Sequence, residues 1–202
     1  AHEILRRSVE PIFVAVRSSL AGAHKEGTSF TGIFDSYLNI KGYSDVYRAI
    51  KQCFSSLYSE RSLYYLHLYG FKVDSLSVPV IVQKMIYSDK SGTIISKDGS
   101  KGNSLVIESI WGLGEGLASG YITPDYYQII EKEGKKEVTT SEISEKRFAI
   151  ARDSSGKNTF VKLTEQRSKQ STLNTNEIEN LYKIAKKIED RFGNCVVIEF
   201  AI

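Results

Sequence analysis

The sequence predicts an α+β fold. Strand-like and helical segments mix without the strict strand–helix–strand rhythm of a doubly wound sheet, and β-branched alternating runs crowd the middle of the chain. A long amphipathic helix followed by an apolar strand closes the sequence. At 202 residues and 41% hydrophobic content, the chain suits one globular domain or two small lobes sharing a cleft.

Taken in order, Glu3 to Val9 reads as a helix that the chain enters part-way through, as at a cut boundary. Pro11 ends it. Ile12 to Val16 reads as a short buried strand, with Arg17-Ser18-Ser19 at its end. Leu20 to Gly32, carrying Gly22, Gly27 and Gly32, reads as a flexible loop. Phe34 to Ile40 is a short strand or a turn of helix. Ser44 is placed as the N-cap of a helix with Val46, Ile50, Phe54 and Leu57 on one face. Ser59 caps a second helix that Gly70 ends.

Val78 to Tyr87 alternates its faces, and Ser88 to Gly92 reads as a turn into Thr93 to Ser96, so the two are predicted to form a hairpin. Ser104 to Ile110 is a strand, and Tyr126 to Leu163 holds further strands. Near the end, Asn174-Thr175-Asn176 precede a helix with Ile178, Leu181, Ala185, Ile188 and Phe192 at spacings of three and four. Gly193 closes that helix, and Cys195 to Ala201 is a final strand.

The net charge of +3, with acids and bases mixed, argues against a nucleic-acid surface; Lys132 to Lys136 and Arg167 to Lys169 read as short solvated clusters. No run approaches about 18 apolar residues, so neither a membrane span nor a signal peptide is predicted. Cys53 and Cys195 lack metal-ligand spacing and read as buried free thiols, which favours a reducing, cytoplasmic compartment. His2, His24 and His67 share no ligand spacing, and His67 reads as a packed helix residue.

Three places can carry chemistry. Arg17, at a strand end before a glycine-bearing loop, suits bidentate contact with phosphate oxygens, or pairs with a surface carboxylate. Trp111-Gly112-Leu113-Gly114-Glu115-Gly116 lets backbone approach a ligand closely, or is a structural turn. It is neither a phosphate-binding P-loop nor a dinucleotide fingerprint. Glu199 interrupts an otherwise apolar strand, so its carboxylate needs either a cation such as nucleotide-bound Mg²⁺ or a salt bridge.

Together these segments are more specific than any one alone. Val16-Arg17-Ser18-Ser19, Ser29-Phe30-Thr31-Gly32 and Tyr37-Leu38-Asn39 resemble the opening signature of the phosphoenolpyruvate synthase / pyruvate phosphate dikinase family. Val82-Gln83-Lys84-Met85, Ser91-Gly92, Trp111 to Glu115, Gly120-Tyr121-Ile122-Thr123-Pro124-Asp125, Ile188-Glu189 and Ile198-Glu199-Phe200-Ala201 continue it in the family's order. The resemblance spans about residues 12 to 202.

It implies an ATP-grasp fold of two α+β lobes clamping ATP: a first lobe over 1–79 with a lid at 20–32, and a hinge strand with the second lobe over 80–202. It also implies nucleotide contacts from Arg17, Ser29, Gly32, Gln83, Lys84, Met85 and Glu115, with Arg17 the catalytic phosphate ligand and Glu199 the Mg²⁺ ligand. The family passes phosphate from ATP to a histidine on a separate swivelling domain and then to pyruvate on a third. Neither domain falls within this sequence.

Three departures stand out: Ala23 and His24 replace the family's acidic pair in the lid, and Val197 replaces an aspartate. They open the alternative of a catalytically degenerate binding module. A related dikinase acting on rifampin or glucan would share the same signatures.

Overall fold

A computed structural model describes residues 12–21, 28, 30, 32–98, 104–132 and 135–202. The predicted helix from Glu3, Pro11, Ser29, Ala23 and His24 lie outside the described residues. The chain divides into two compact units, Ala1–Met85 and Ile86–Ile202.

The first unit is built on a three-stranded antiparallel sheet in the order β2-β1-β3, where β1 is Phe13–Ser18, β2 is Ser36–Lys41 and β3 is Val80–Lys84. Alternation along β1 sends Val14 and Val16 to one face, where both are fully buried against helix α1 (Tyr43–Ser55). That face of α1 is Val46, Ala49 and Cys53, with Ile50 beside it.

The predicted face of Val46, Ile50, Phe54 and Leu57 is corrected at its far end, because Phe54 is half exposed. The α-helix tightens into a 3₁₀ turn at Ser56–Tyr58, which redirects Leu57 into a separate cluster with Leu66 and Val78. Ser44 lies inside the helix; its N-cap is Gly42 at φ 81°. Helix α2 (Glu60–Leu68) starts as predicted, with the Ser59 side chain accepting from Ser62 N, and Gly70 follows it at φ 71°.

The predicted hairpin does not form. β3 pairs with β1, whereas β4 (Lys90–Asp98) pairs with β5 (Ser104–Trp111) and with β10 (Val197–Ala201). Alternating apolar residues fix which face is buried but not which strand is the neighbour. β3 therefore belongs to the first unit, not to the second as expected.

The second unit holds a five-stranded antiparallel sheet, β10-β4-β5-β6-β7, where β6 is Asp125–Lys132 and β7 is Lys135–Glu142. A separate hairpin joins β8 (Phe148–Arg152) to β9 (Asn158–Lys162). Two short helices, α3 (Glu115–Ala118) and α4 (Glu165–Ser168), flank it.

The long helix α5 (Thr175–Phe192) begins with a capping box between Asn174 and Glu177 and ends at Gly193 in the left-handed region. Its Ile178, Leu181, Tyr182 and Ala185 pack on Ile94, Leu105, Ile107, Tyr127 and Ile129 of the sheet. Phe192 falls outside that stripe and is exposed.

Cys53 is buried, but Cys195 is exposed because it precedes β10 in the link from α5. His67 is exposed as well, on the outer side of α2. No helix among the described residues is long and apolar enough to cross a membrane.

Candidate functional site

Arg17 is the penultimate residue of β1, on the face turned away from α1. Its register partner on β3 is Ile81, and Gln83 stands opposite Ala15 on the same face. Val16 anchors this position from below, fully buried in the α1 core. Arg17 is half-buried, and its Nε is a buried nitrogen with no hydrogen-bond partner among the described residues. The described ion pairs of this unit are Arg48–Asp45 and Arg61–Asp35, so neither neutralises Arg17. A buried donor left without an acceptor is costly, and an anionic ligand at this face would supply one.

The chain leaving Arg17 is pinned. Ser18 Oγ donates to Asp35 O at 2.8 Å, Ser19 N to Pro79 O at 2.8 Å and Ala21 N to Ser77 O at 2.9 Å. Where the predicted loop ends, the Phe30 ring lies 5.4 Å from both Tyr65 and Phe71 and 6.1 Å from Phe34. Tyr65 therefore packs, while Tyr64 points to solvent. Gly32 is exposed with φ 74°. Cys53 Sγ lies 3.7 Å from Val16 O, and burial pushes its thiol pKa up, keeping it protonated.

The predicted hinge residues do not act alike. Met85 N donates to Phe13 O at 2.9 Å and Ser19 N to Pro79 O at 2.8 Å. With the antiparallel register, residues 79, 81, 83 and 85 thus spend their backbone groups on β1. Val82 and Lys84 turn theirs to the outer edge of β3, the end strand of this described sheet. The Lys84 side chain shares its face with Val82, opposite to Arg17 and Gln83, so Lys84 can meet a ligand on that edge through its backbone.

In the second unit the glycine loop has a structural basis. Gly112 has φ 81°, and a Cβ there would stand 2.4 Å from Ile150 O; Leu113 N donates to that same carbonyl at 2.8 Å. Glu115 is exposed at the start of α3 and accepts from Asn158 Nδ2 at 2.5 Å.

Glu199 is exposed, which corrects the argument from burial. On the edge strand β10 the even positions Ile198 and Phe200 pack on the core, while Val197, Glu199 and Ala201 face outward. An apolar run on an edge strand is no sign of two-sided burial. Glu199 is in register with Thr93, and Thr93 with Glu108, so a row of oxygen donors crosses the face away from α5. No group of three or more His, Cys, Asp or Glu that could hold a metal occurs among the described residues. These hard oxygen donors suit Mg²⁺, but only with nucleotide phosphates completing the shell.

What the sequence did not reveal is a wholly buried ion pair. Lys146 Nζ donates to Asp125 Oδ1, and both side chains are fully enclosed. Asp125 also accepts from Ser144 N at 3.0 Å, Thr172 N at 2.8 Å and Thr172 Oγ1 at 2.9 Å. Asp125 closes the motif over residues 120–125, but nothing local marks its partner 21 residues on.

The sequence profile of the pyruvate phosphate dikinase AMP/ATP-binding domain matches residues 1–202. The chain belongs to that family. Among relatives, a probable phosphoenolpyruvate synthase of Archaeoglobus fulgidus is 35% identical over 192 residues, covering 95% of this chain and 25% of the relative. The phosphoenolpyruvate synthase of Pyrococcus furiosus is 34% identical over 200 residues, covering 95% and 24%. A rifampicin phosphotransferase of Bacillus cereus is 33% identical over 190 residues, covering 93% and 21%. This dikinase-family domain thus spans a quarter or less of the length of these relatives.

Proposed function

We propose that the chain is the ATP-binding part of a larger phosphotransferase of the phosphoenolpyruvate synthase type, with the ATP-grasp architecture. The observation that carries this is Arg17, whose buried Nε lacks an acceptor among the described residues on the sheet face turned away from α1. A phosphate oxygen satisfies it, and the guanidinium then offsets charge on the transferring phosphoryl group. Gln83 shares that face, and the outward backbone groups of Lys84 suit the hydrogen-bonding edge of adenine. Met85 bounds that edge, Gly32 and Ser29 belong to the lid, and Glu115 is a further nucleotide contact.

Glu199 would hold Mg²⁺ together with the phosphates. When bound, the ion neutralises phosphate charge. The phosphate then passes to a histidine of another domain of the parent protein. Pyruvate is the proposed final acceptor, and a rifampicin-type acceptor is the alternative that the Bacillus relative raises. The free cysteines fit a reducing, cytoplasmic setting.

A second reading, nucleotide binding without turnover, is favoured by Val197, which is 68% exposed where the family resemblance puts an acidic residue. Calorimetric titration with ATP, with and without Mg²⁺, tests both. Arg17→Ala should weaken binding on the order of tenfold or more, as for loss of a charge-assisted contact. Unchanged affinity in a folded Arg17→Ala variant overturns the assignment. Equal affinity with and without Mg²⁺ removes the metal role of Glu199.

A further inference from the structure

The β8–β9 hairpin is a two-stranded sheet, and such a unit is marginal unless anchored. Here its base is tied down closely. Lys146 N donates to Ser168 O at 2.8 Å, Leu163 N to Arg147 O at 2.9 Å, and the Lys146 side chain enters the buried Asp125 pair two residues before β8. At the far end of β8, Arg152 lies 4.0 Å over the Tyr87 ring.

A hairpin held this firmly meets the glycine loop twice. From β8, Ile150 O receives Leu113 N and sets how closely Gly112 can approach. The Ile150 side chain packs with Ile110, Leu113 and Ile122. From the start of β9, Asn158 Nδ2 reaches Glu115 Oε2 at 2.5 Å. The first contact fixes the loop backbone; the second fixes one carboxylate.

We infer that Asn158 is a positioning residue that orients the Glu115 carboxylate for nucleotide. This rests on Glu115 being a nucleotide contact, as proposed above. An exposed glutamate samples several rotamers, and a single charge-assisted bond from an anchored strand restricts them before ligand arrives. Asn158 itself touches no ligand in this scheme. Its effect on binding exists only through Glu115.

A double-mutant cycle on Mg-ATP affinity tests this, with circular dichroism verifying the fold of each variant. Asn158→Ala should raise the dissociation constant on the order of threefold to tenfold, as for loss of one hydrogen bond. Asn158→Asp, which sets a like charge against Glu115, should raise it further. In a Glu115→Ala background, Asn158→Ala should change nothing more. An undiminished effect in that background, or no effect of Asn158→Ala where Glu115→Ala weakens binding, overturns the inference. If Glu115→Ala alone leaves affinity unchanged, the nucleotide role of Glu115 falls, and the inference with it.

Discussion

Gly112 and Gly120 both hold a positive φ, 81° and 72°, yet they differ in what surrounds them. A Cβ at Gly120 would meet nothing within 4 Å, whereas at Gly112 it would press on the Ile150 carbonyl oxygen. Gly120→Ala should therefore cost about 1 kcal/mol of backbone strain. Gly112→Ala should cost roughly 2–3 kcal/mol, because the loop must also leave Ile150. Urea denaturation of the two variants distinguishes them, and equal losses would mean that the loop is free to move away.

Glu177 gives a pH-dependent counterpart. Burial raises its pKa, but the Lys90 hydrogen bond at 2.6 Å, the Asn174 N–H and the Lys90 charge outweigh it, leaving the group below its ordinary 4.5. A depressed folded pKa means the stabilisation is complete above about pH 4.5 and is lost as pH falls through the folded value. Acid titration of unfolding free energy should show this loss in the wild type and less of it in Glu177→Gln.

At this scale, local rules made Ser59, Gly70, Asn174 and Gly193 legible, since capping depends on neighbours in sequence. Glu199, Cys195 and His67 were misjudged because exposure depends on which element lies alongside.

The element that the sequence concealed most fully is the Asp125–Lys146 junction. It ties the start of β6 to the approach to β8 and, through Thr172, to the approach to α5. Removing one member leaves the other charge buried and alone. Lys146→Met should cost about 3–5 kcal/mol, measurable as a lower denaturation midpoint in urea. Adding Asp125→Leu should not restore stability, because the N–H groups of Ser144 and Thr172 lose their acceptor. Recovery in the double variant would show that the pair acts only as two opposed charges. Long-range pairing of this kind also explains the mistaken β3–β4 hairpin: composition gave both strands, but only the tertiary fold assigns β3 to β1.

For the whole molecule, the mixture of segment types was enough for the α+β class, and the ordered motifs were enough for the family, which the match over residues 1–202 bears out. The division after Met85 was less legible, since β3 resembles any buried strand until its partner is known. Each unit pairs a sheet with a helix on one face, and Arg17 and Glu199 each project from the face that its helix leaves open.

Nucleotide binding through Arg17 is the central claim. Thermal unfolding during a Mg-ATP titration tests it most directly, because a ligand that binds only the folded state stabilises it by about 2.7 kcal/mol at a hundredfold excess over its dissociation constant. The expected result is a midpoint that climbs with nucleotide in the wild type and much less in Arg17→Ala. A folded wild-type sample whose midpoint stays fixed to millimolar Mg-ATP would contradict it.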